Sequence, residues 1–326
     1  MRRRVGEDMR LLKSGRPLFA IIAAVACIAA ASRQNEAANH PGDYHFAIAF
    51  DGIERQYDLH VPKSYSADKP APLIVALHGG GGDADIMSND EYYGLISKSE
   101  AAGFIIAFPN GFSRFGGMFA TWNAGKCCGR ARDKKVDDVG FIKSVVQRIS
   151  TQANVDSHRV FAIGMSNGGM MAYRLACDAP EVFHGIMSVA GTDNTNECHS
   201  SRPVAILHIH ARDDDKVLFN GGAGNVFRRN KAIVNDFVSV NDTIAKWVAL
   251  DHAEAAPRRV LSVDGAVCDL HVAQTGGAPV ELCVTDIGGH SWPGGKRKPR
   301  RDASTPSQAI NADDVMWNFF SSLPGN

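Results

Sequence analysis

The chain has no net charge: 35 Lys and Arg are matched by 35 Asp and Glu in 326 residues. A neutral chain lacks the broad positive field that nucleic-acid binding needs, so no nucleic-acid partner is expected. One dense basic run exists, Lys296-Arg297-Lys298-Pro299-Arg300-Arg301. It reads as a solvated loop, because Pro299 and the flanking Gly294, Gly295 and Asp302 mark irregular chain; an acidic substrate or surface is the alternative. Long apolar runs are also scarce. Leu18–Ala31 is fourteen residues, short of the roughly 20 that a membrane span needs, so no stable membrane insertion is expected. No CxxC pair or Cys/His cluster has zinc spacing, which argues against a structural metal. There is no internal repeat and no long low-complexity linker.

What is present is a core: 44% of residues are hydrophobic and 21% charged, the balance of a globular protein. The N-terminus carries an export pattern. Arg2, Arg3, Arg4, Arg10, Lys13 and Arg16 precede the apolar run, and Ala29-Ala30-Ala31 supplies small residues for cleavage. Residues 1–31 are therefore read as a signal peptide, 32–44 as a polar leader and 45–323 as one catalytic domain, in a secreted or periplasmic protein. A lipid anchor on Cys27 and an uncleaved anchor are the alternatives. Six cysteines remain: Cys127, Cys128, Cys177, Cys198, Cys268 and Cys283. An even number in an exported chain points to disulfides. Cys268 and Cys283 are the best pair, on two strand-like runs joined by a Thr-Gly-Gly turn.

Along the chain, short apolar runs such as PLIVAL, FIIAF, RVFAIG, GIMSV and VAILHIH alternate with helical segments. VDDVGFIKSVVQRIST puts Val139, Ile142, Val146 and Ile149 on one stripe. This alternation predicts an α/β fold, a mostly parallel sheet covered on both faces.

Gly164-Met165-Ser166-Asn167-Gly168 stands between the buried run RVFAIG and the helical NGGMMAYRLAC. This is the spacing of a nucleophile elbow. A strand reverses sharply into a helix, and glycines on either side let the chain cross. The serine hydroxyl is held out above the sheet, and the helix N-terminus beneath it favours negative charge. The Asn167 N–H becomes one oxyanion donor. Leu77-His78-Gly79-Gly80-Gly81-Gly82 follows an earlier strand and can supply the other, from Gly80. That loop lacks the Gly-Lys-Ser/Thr of a P-loop and the G-x-G-x-x-G of a dinucleotide site. His78, at a strand end before the serine, reads as structural.

A serine nucleophile needs a histidine base, and the base needs a carboxylate, in the order Ser, Asp/Glu, His. His290, in the glycine-rich DIGGHSWPGG, is the expected base. His208 and His210 alternate on a strand and read as structural. Asp213, Asp214 and Asp215 all follow the strand VAILHIH, and spacing does not separate them; Asp193 is a weaker rival.

These motifs carry a resemblance. LHGGGG, FPNG with TWNAGKCCG, VDDVGF, VDSHRVFAIGMSNGGMMAYRLAC, the NGG after the acid strand and GGHSWPGG occur in order from about Tyr57 to Phe320. The chain resembles the polyhydroxybutyrate-depolymerase-like esterases, a family that includes feruloyl and acetyl-xylan esterases. The resemblance implies an α/β-hydrolase fold, Ser166 as nucleophile, His290 as base and no cofactor. It selects Asp214 as acid by its count from His210, with Asp213 the fallback. It also implies that Trp292 and Trp122 lie near the substrate. The expected substrate is a hydroxybutyrate oligomer or polyester, or a feruloyl or acetyl ester of plant polysaccharide. A serine peptidase on the same fold and an exported binding protein are the rival readings. Nothing in the sequence sets the oligomeric state.

Overall fold

Alternation decides where each side chain of the central strands goes. Along β3 (Ala71–Leu77), Leu73, Val75 and Leu77 enter one core while Ile74 and Ala76 enter the other. Along β5 (Val155–Met165), Val160 and Ala162 join the first core and Phe161, Ile163 and Met165 the second. A strand buried on both faces reads as a continuous apolar run, which is the pattern of a covered parallel sheet.

The computed structural model describes residues 38–113, 119–224, 236–299 and 303–324. The expected signal peptide, Cys27 and residues 32–37 of the expected leader lie outside these residues. Among the described residues, one ten-stranded sheet runs in the order β1 (Gly42–Phe50), β2 (Ile53–Val61), β4 (Ile105–Pro109), β3, β5, β6 (Gly185–Val189), β7 (Ala205–Ala211), β10 (Val280–Thr285), β9 (Ala266–His271) and β8 (Arg258–Val263). Its parallel centre is β4, β3, β5, β6, β7 and β10. Antiparallel hairpins close each side. β1 and β2 turn at Asp51-Gly52. β9 pairs with β10, and β8 lies outermost. β1 begins at Gly42, so the last three residues of the expected leader are already strand.

Five longer helices cover the two faces. α2 (Asp138–Gln152), α3 (Asn167–Asp178) and α4 (Val240–Leu250) contribute Phe141, Met171 and Trp247 to the first core. α1 (Leu95–Ala102) and α5 (Ala312–Ser322) contribute Leu95, Met316, Phe319 and Phe320 to the second. The stripe Val139, Ile142, Val146 and Ile149 is buried as expected. Asp137 caps α2, accepting the Gly140 N–H, while its neighbour Asp138 makes a buried ion pair with Arg55 of β2 at 2.8 Å. No described helix is long and apolar enough to cross a membrane.

All six expected cysteines pair: Cys127–Cys128, Cys177–Cys198 and Cys268–Cys283. Cys268 and Cys283 stand directly opposite each other in the β9–β10 register, which is why they meet.

Candidate active site

Ser166 sits between β5 and α3 with φ 57 and ψ −119. A side-chain-bearing residue at positive φ costs about 1–3 kcal/mol and persists only where its surroundings over-determine it. Here the Ser166 N–H donates to the Val189 carbonyl at 2.8 Å and its own carbonyl accepts from Met170 N at 2.9 Å. The flanking glycines are required by space. A Cβ on Gly168 would strike the Leu77 carbonyl oxygen, and one on Gly164 would strike the Gly168 backbone. α3 thus crosses against the ends of β3 and β5 at backbone contact distance, and Ser166 is left at the crossing.

Asn167 opens α3, so its N–H has no acceptor one turn earlier in the helix. Its side chain is fully used elsewhere: Oδ1 accepts from Trp122 N at 2.8 Å, and Nδ2 donates to the Trp122 carbonyl at 3.1 Å. These bonds fix the residue and leave its backbone N–H for a ligand. Gly80 lies against the Asn167 side chain. The neighbouring amides Gly81 and Gly82 bond to Ala120 and Gly79 carbonyls. Gly80 and Ser166 line one cavity of about 330 Å³.

The expected acid follows β7. Asp214 is buried. Its Oδ1 accepts from Lys216 N at 2.8 Å and Val217 N at 3.0 Å. Its Oδ2 accepts from His290 Nδ1 at 2.8 Å. Burial alone would raise Asp214, but the charge of the His290 imidazole and hydrogen bonds from His210 and His290 hold it well below the usual carboxylate range. Asp213 points elsewhere and accepts the Gly289 N–H at 2.7 Å, pinning the loop that carries His290. Asp193 is committed to Lys246 Nζ at 2.6 Å and the Trp247 indole at 3.0 Å.

His290 lines the same cavity as Ser166. With Nδ1 bound to Asp214, Nε2 is the ring nitrogen that Asp214 does not use. The His290 backbone N–H donates to Ser304 Oγ at 3.0 Å. The arrangement therefore brings Ser166, His290, Asp214, Gly80 and Asn167 to one end of the parallel strands, outside their carboxyl ends, where ligands bind in open α/β sheets.

His208 and His210 are buried, as their alternation suggested, and they reach Asp214. His210 Nε2 donates to the Val217 carbonyl at 2.8 Å and lies 3.5 Å from Asp214 Oδ2. His210 Nδ1 then accepts from His208 Nε2 at 3.0 Å, and His208 Nδ1 accepts from the Tyr173 hydroxyl at 2.8 Å. One fixed carbonyl sets every tautomer in this buried chain. His78, elsewhere in the core, is neutral. Its Nδ1 donates to the Gly79 carbonyl, its Nε2 accepts from Gly111 N, and burial pushes it down to about 4.

Trp292 lines the cavity, with its indole N–H on Asp313 Oδ1 at 3.0 Å and its ring edge-on to Tyr93 at 5.2 Å. The structure moves Trp122 out of the substrate wall. It is fully buried, donates its indole N–H to the His78 carbonyl at 2.9 Å and braces Asn167, because its strand-like segment runs beneath the glycine loop. The sequence reading missed Tyr92, Tyr93 and Lys298 of the cavity and Asp313 behind Trp292. The basic run was the one signal available. Cys268, Glu281 and Cys283 come within ligand distance of one another, but both sulfurs are spent in their disulfide.

Residues 50–292 match the family model described as "Putative esterase". The chain belongs to this esterase family. Feruloyl esterase B of Piromyces equi is 28% identical over 250 residues, 74% of this chain and 44% of the relative. The chain therefore corresponds to less than half the length of that esterase. "Putative esterase NocK" of Nocardia uniformis subsp. tsuyamanensis is 29% identical over 283 residues, 82% of this chain and 80% of the relative. Among solved structures, acetyl xylan esterase from Aspergillus awamori superposes with a TM-score of 0.56 at 14% identity, covering 85% of this chain and 98% of that one. That likeness shows the α/β-hydrolase fold.

Proposed function

We propose that this member of the esterase family hydrolyses carboxylic esters through Ser166, His290 and Asp214. The observation that carries the reading is the 2.8 Å Asp214–His290 pair opening on the cavity that Ser166 lines from its elbow. His290 Nε2 takes the Ser166 proton as Oγ attacks the ester carbonyl. The N–H groups of Gly80 and Asn167 hold the tetrahedral oxyanion. The C–O bond to the alcohol breaks, and the alcohol leaves with the proton from His290. Water repeats the sequence on the acyl-enzyme, releasing the acid and restoring Ser166. Asp214 stays ionised and steadies the imidazolium.

The cavity is small and partly aromatic, which suits a short acyl chain or a single ring. Hydroxybutyrate oligomers and polyesters, and feruloyl or acetyl esters like those named for its relatives, both fit that description. Export is supported by the three disulfides, which persist in oxidising compartments. The test is initial rates on p-nitrophenyl butyrate, methyl ferulate, acetylated xylan and hydroxybutyrate oligomers. Ser166→Ala should lose at least about 10³-fold in kcat on every ester that the wild type turns over. Equal turnover by the variant would end the assignment.

A further inference from the structure

Three buried side chains, Tyr173, His208 and His210, continue the Asp214–His290 pair away from the cavity, and no step of the ester reaction uses them. β7 places His208 and His210 on one face, two residues apart, with their rings stacked at 5.2 Å. Burial does not call for imidazoles there, because the same face of β7 takes the apolar Ile206. Burial holds His208 well below its ordinary value, so that ring is neutral. The chain ends on a group that can only accept, the Val217 carbonyl, 2.8 Å from His210 Nε2. His210 Nε2 therefore carries a proton, and its Nδ1 accepts from His208 Nε2 at 3.0 Å.

That proton faces two parts of one turn. Nε2 donates to the Val217 carbonyl and lies 3.5 Å from Asp214 Oδ2, the oxygen that holds His290. The Val217 N–H returns to Asp214 Oδ1 at 3.0 Å, so His210 grips a turn that is already closed on the carboxylate. At 3.5 Å, with the carbonyl nearer, the contact with Oδ2 is electrostatic rather than a full hydrogen bond. Both groups are out of water, where such a contact is weakly screened.

We propose that His210 is a positioning residue of the triad: through the 214–217 turn and the flank of Oδ2, it limits how tightly Asp214 holds the proton-bearing form of His290. It touches no substrate. The inference rests on the esterase reading of Ser166, His290 and Asp214. Charged groups around the pair include Asp213 and Asp215, which flank Asp214 in sequence, and Asp286 on the His290 loop, 3.5 Å from Arg212. Lys296 and Lys298 line the cavity, and Asp193 and Asp251 lie toward Tyr173. All are common to the variants below.

The test is the acid limb of kcat/KM for p-nitrophenyl butyrate, where protonated His290 no longer accepts the Ser166 proton. A Gln amide can place its nitrogen where His210 Nε2 stands, and an Asn amide is one carbon too short. Loss of the donor leaves more carboxylate charge facing His290, so the imidazolium gains and the midpoint rises. His210→Asn should raise the midpoint by about 0.5 pH unit or more, and His210→Gln should stay within about 0.2 of the wild type. Tyr173→Phe disturbs the same core but leaves the Val217 carbonyl to set His210, so its midpoint should not move. A midpoint unchanged or lowered in His210→Asn, or raised equally in His210→Gln or Tyr173→Phe, would overturn the proposal and leave the esterase reading standing. Proton–nitrogen NMR of histidine-labelled wild type needs no variant to fold: His210 should carry hydrogen on Nε2 and none on Nδ1, and the reverse would also overturn it. No turnover of any ester by the wild type would overturn both readings.

Discussion

Asp213 and Asp214 are adjacent and chemically identical, yet they hold different groups. Asp213 holds the Gly289 amide, and Asp214 holds the His290 imidazole. An amide at position 214 would present a donor or a weakened acceptor to Nδ1 and favour the wrong tautomer. Asp214→Asn should therefore lower kcat by about 10⁴-fold. Asp213→Asn keeps an oxygen for Gly289 and should cost less than about tenfold; steady-state kinetics on p-nitrophenyl butyrate separates the two. Equal losses would return the acid role to the pair. Spacing in the sequence could not make this distinction, because both residues leave the same strand end and only the turn beyond it aims them. Ser166 was legible for the opposite reason: glycines two residues on either side mark a crossing that few other structures need. Lys298 was hidden because a charged residue beside proline and glycine has the same pattern whether it faces water or a cleft.

The turn at Ser166 depends on three elements meeting at backbone distance: β3, β5 and α3. The Gly168 position is set by the Leu77 carbonyl of β3, which leaves no room for a methyl group. Gly168→Ala must push α3 away from the sheet. It should destabilise the fold by about 1–3 kcal/mol and lower kcat, measured by urea unfolding and ester turnover on one preparation; a variant with wild-type stability and rate would show that the crossing is not tight. The buried elements were readable from sequence because burial on both faces, or on one helical stripe, leaves an apolar trace. β8 was missed because five of its six residues are exposed, so RRVLSV shows no alternation. α1 was missed because only Leu95 and Ser99 are buried along it.

Over the whole molecule, buried carboxyls set the pH dependence of stability. Asp251 ends α4, where the helix dipole disfavours negative charge. It is fully buried, with one oxygen accepting from Val204 N and the other, Oδ2, without a partner. Burial pushes it up to about 8, and burial likewise raises Asp313 and Glu281 to about 7. Raised folded values mean that the native state holds these protons longer than the unfolded chain does. The associated stability is complete below about pH 4 and is lost as pH rises toward 7–8. Asp214, depressed, works in the opposite sense and loses its contribution in acid. Asp251→Asn removes the charge that must be buried, so it should flatten the fall in Tm between pH 4 and 8 and raise Tm at pH 8, by roughly 2–4 °C per kcal/mol recovered. An unchanged slope would place the pH dependence elsewhere. Sheet order and these lone buried acids were beyond the sequence, since both depend on which distant segments meet.

The central claim is that Ser166 is an activated nucleophile in a working triad. The most direct test is to treat the purified protein with diethyl p-nitrophenyl phosphate and map the adduct by peptide mass. The account predicts a single diethylphosphoryl group on Ser166, formed far more slowly in folded His290→Ala. A folded protein left unlabelled at Ser166, or labelled there equally fast without His290, would contradict it.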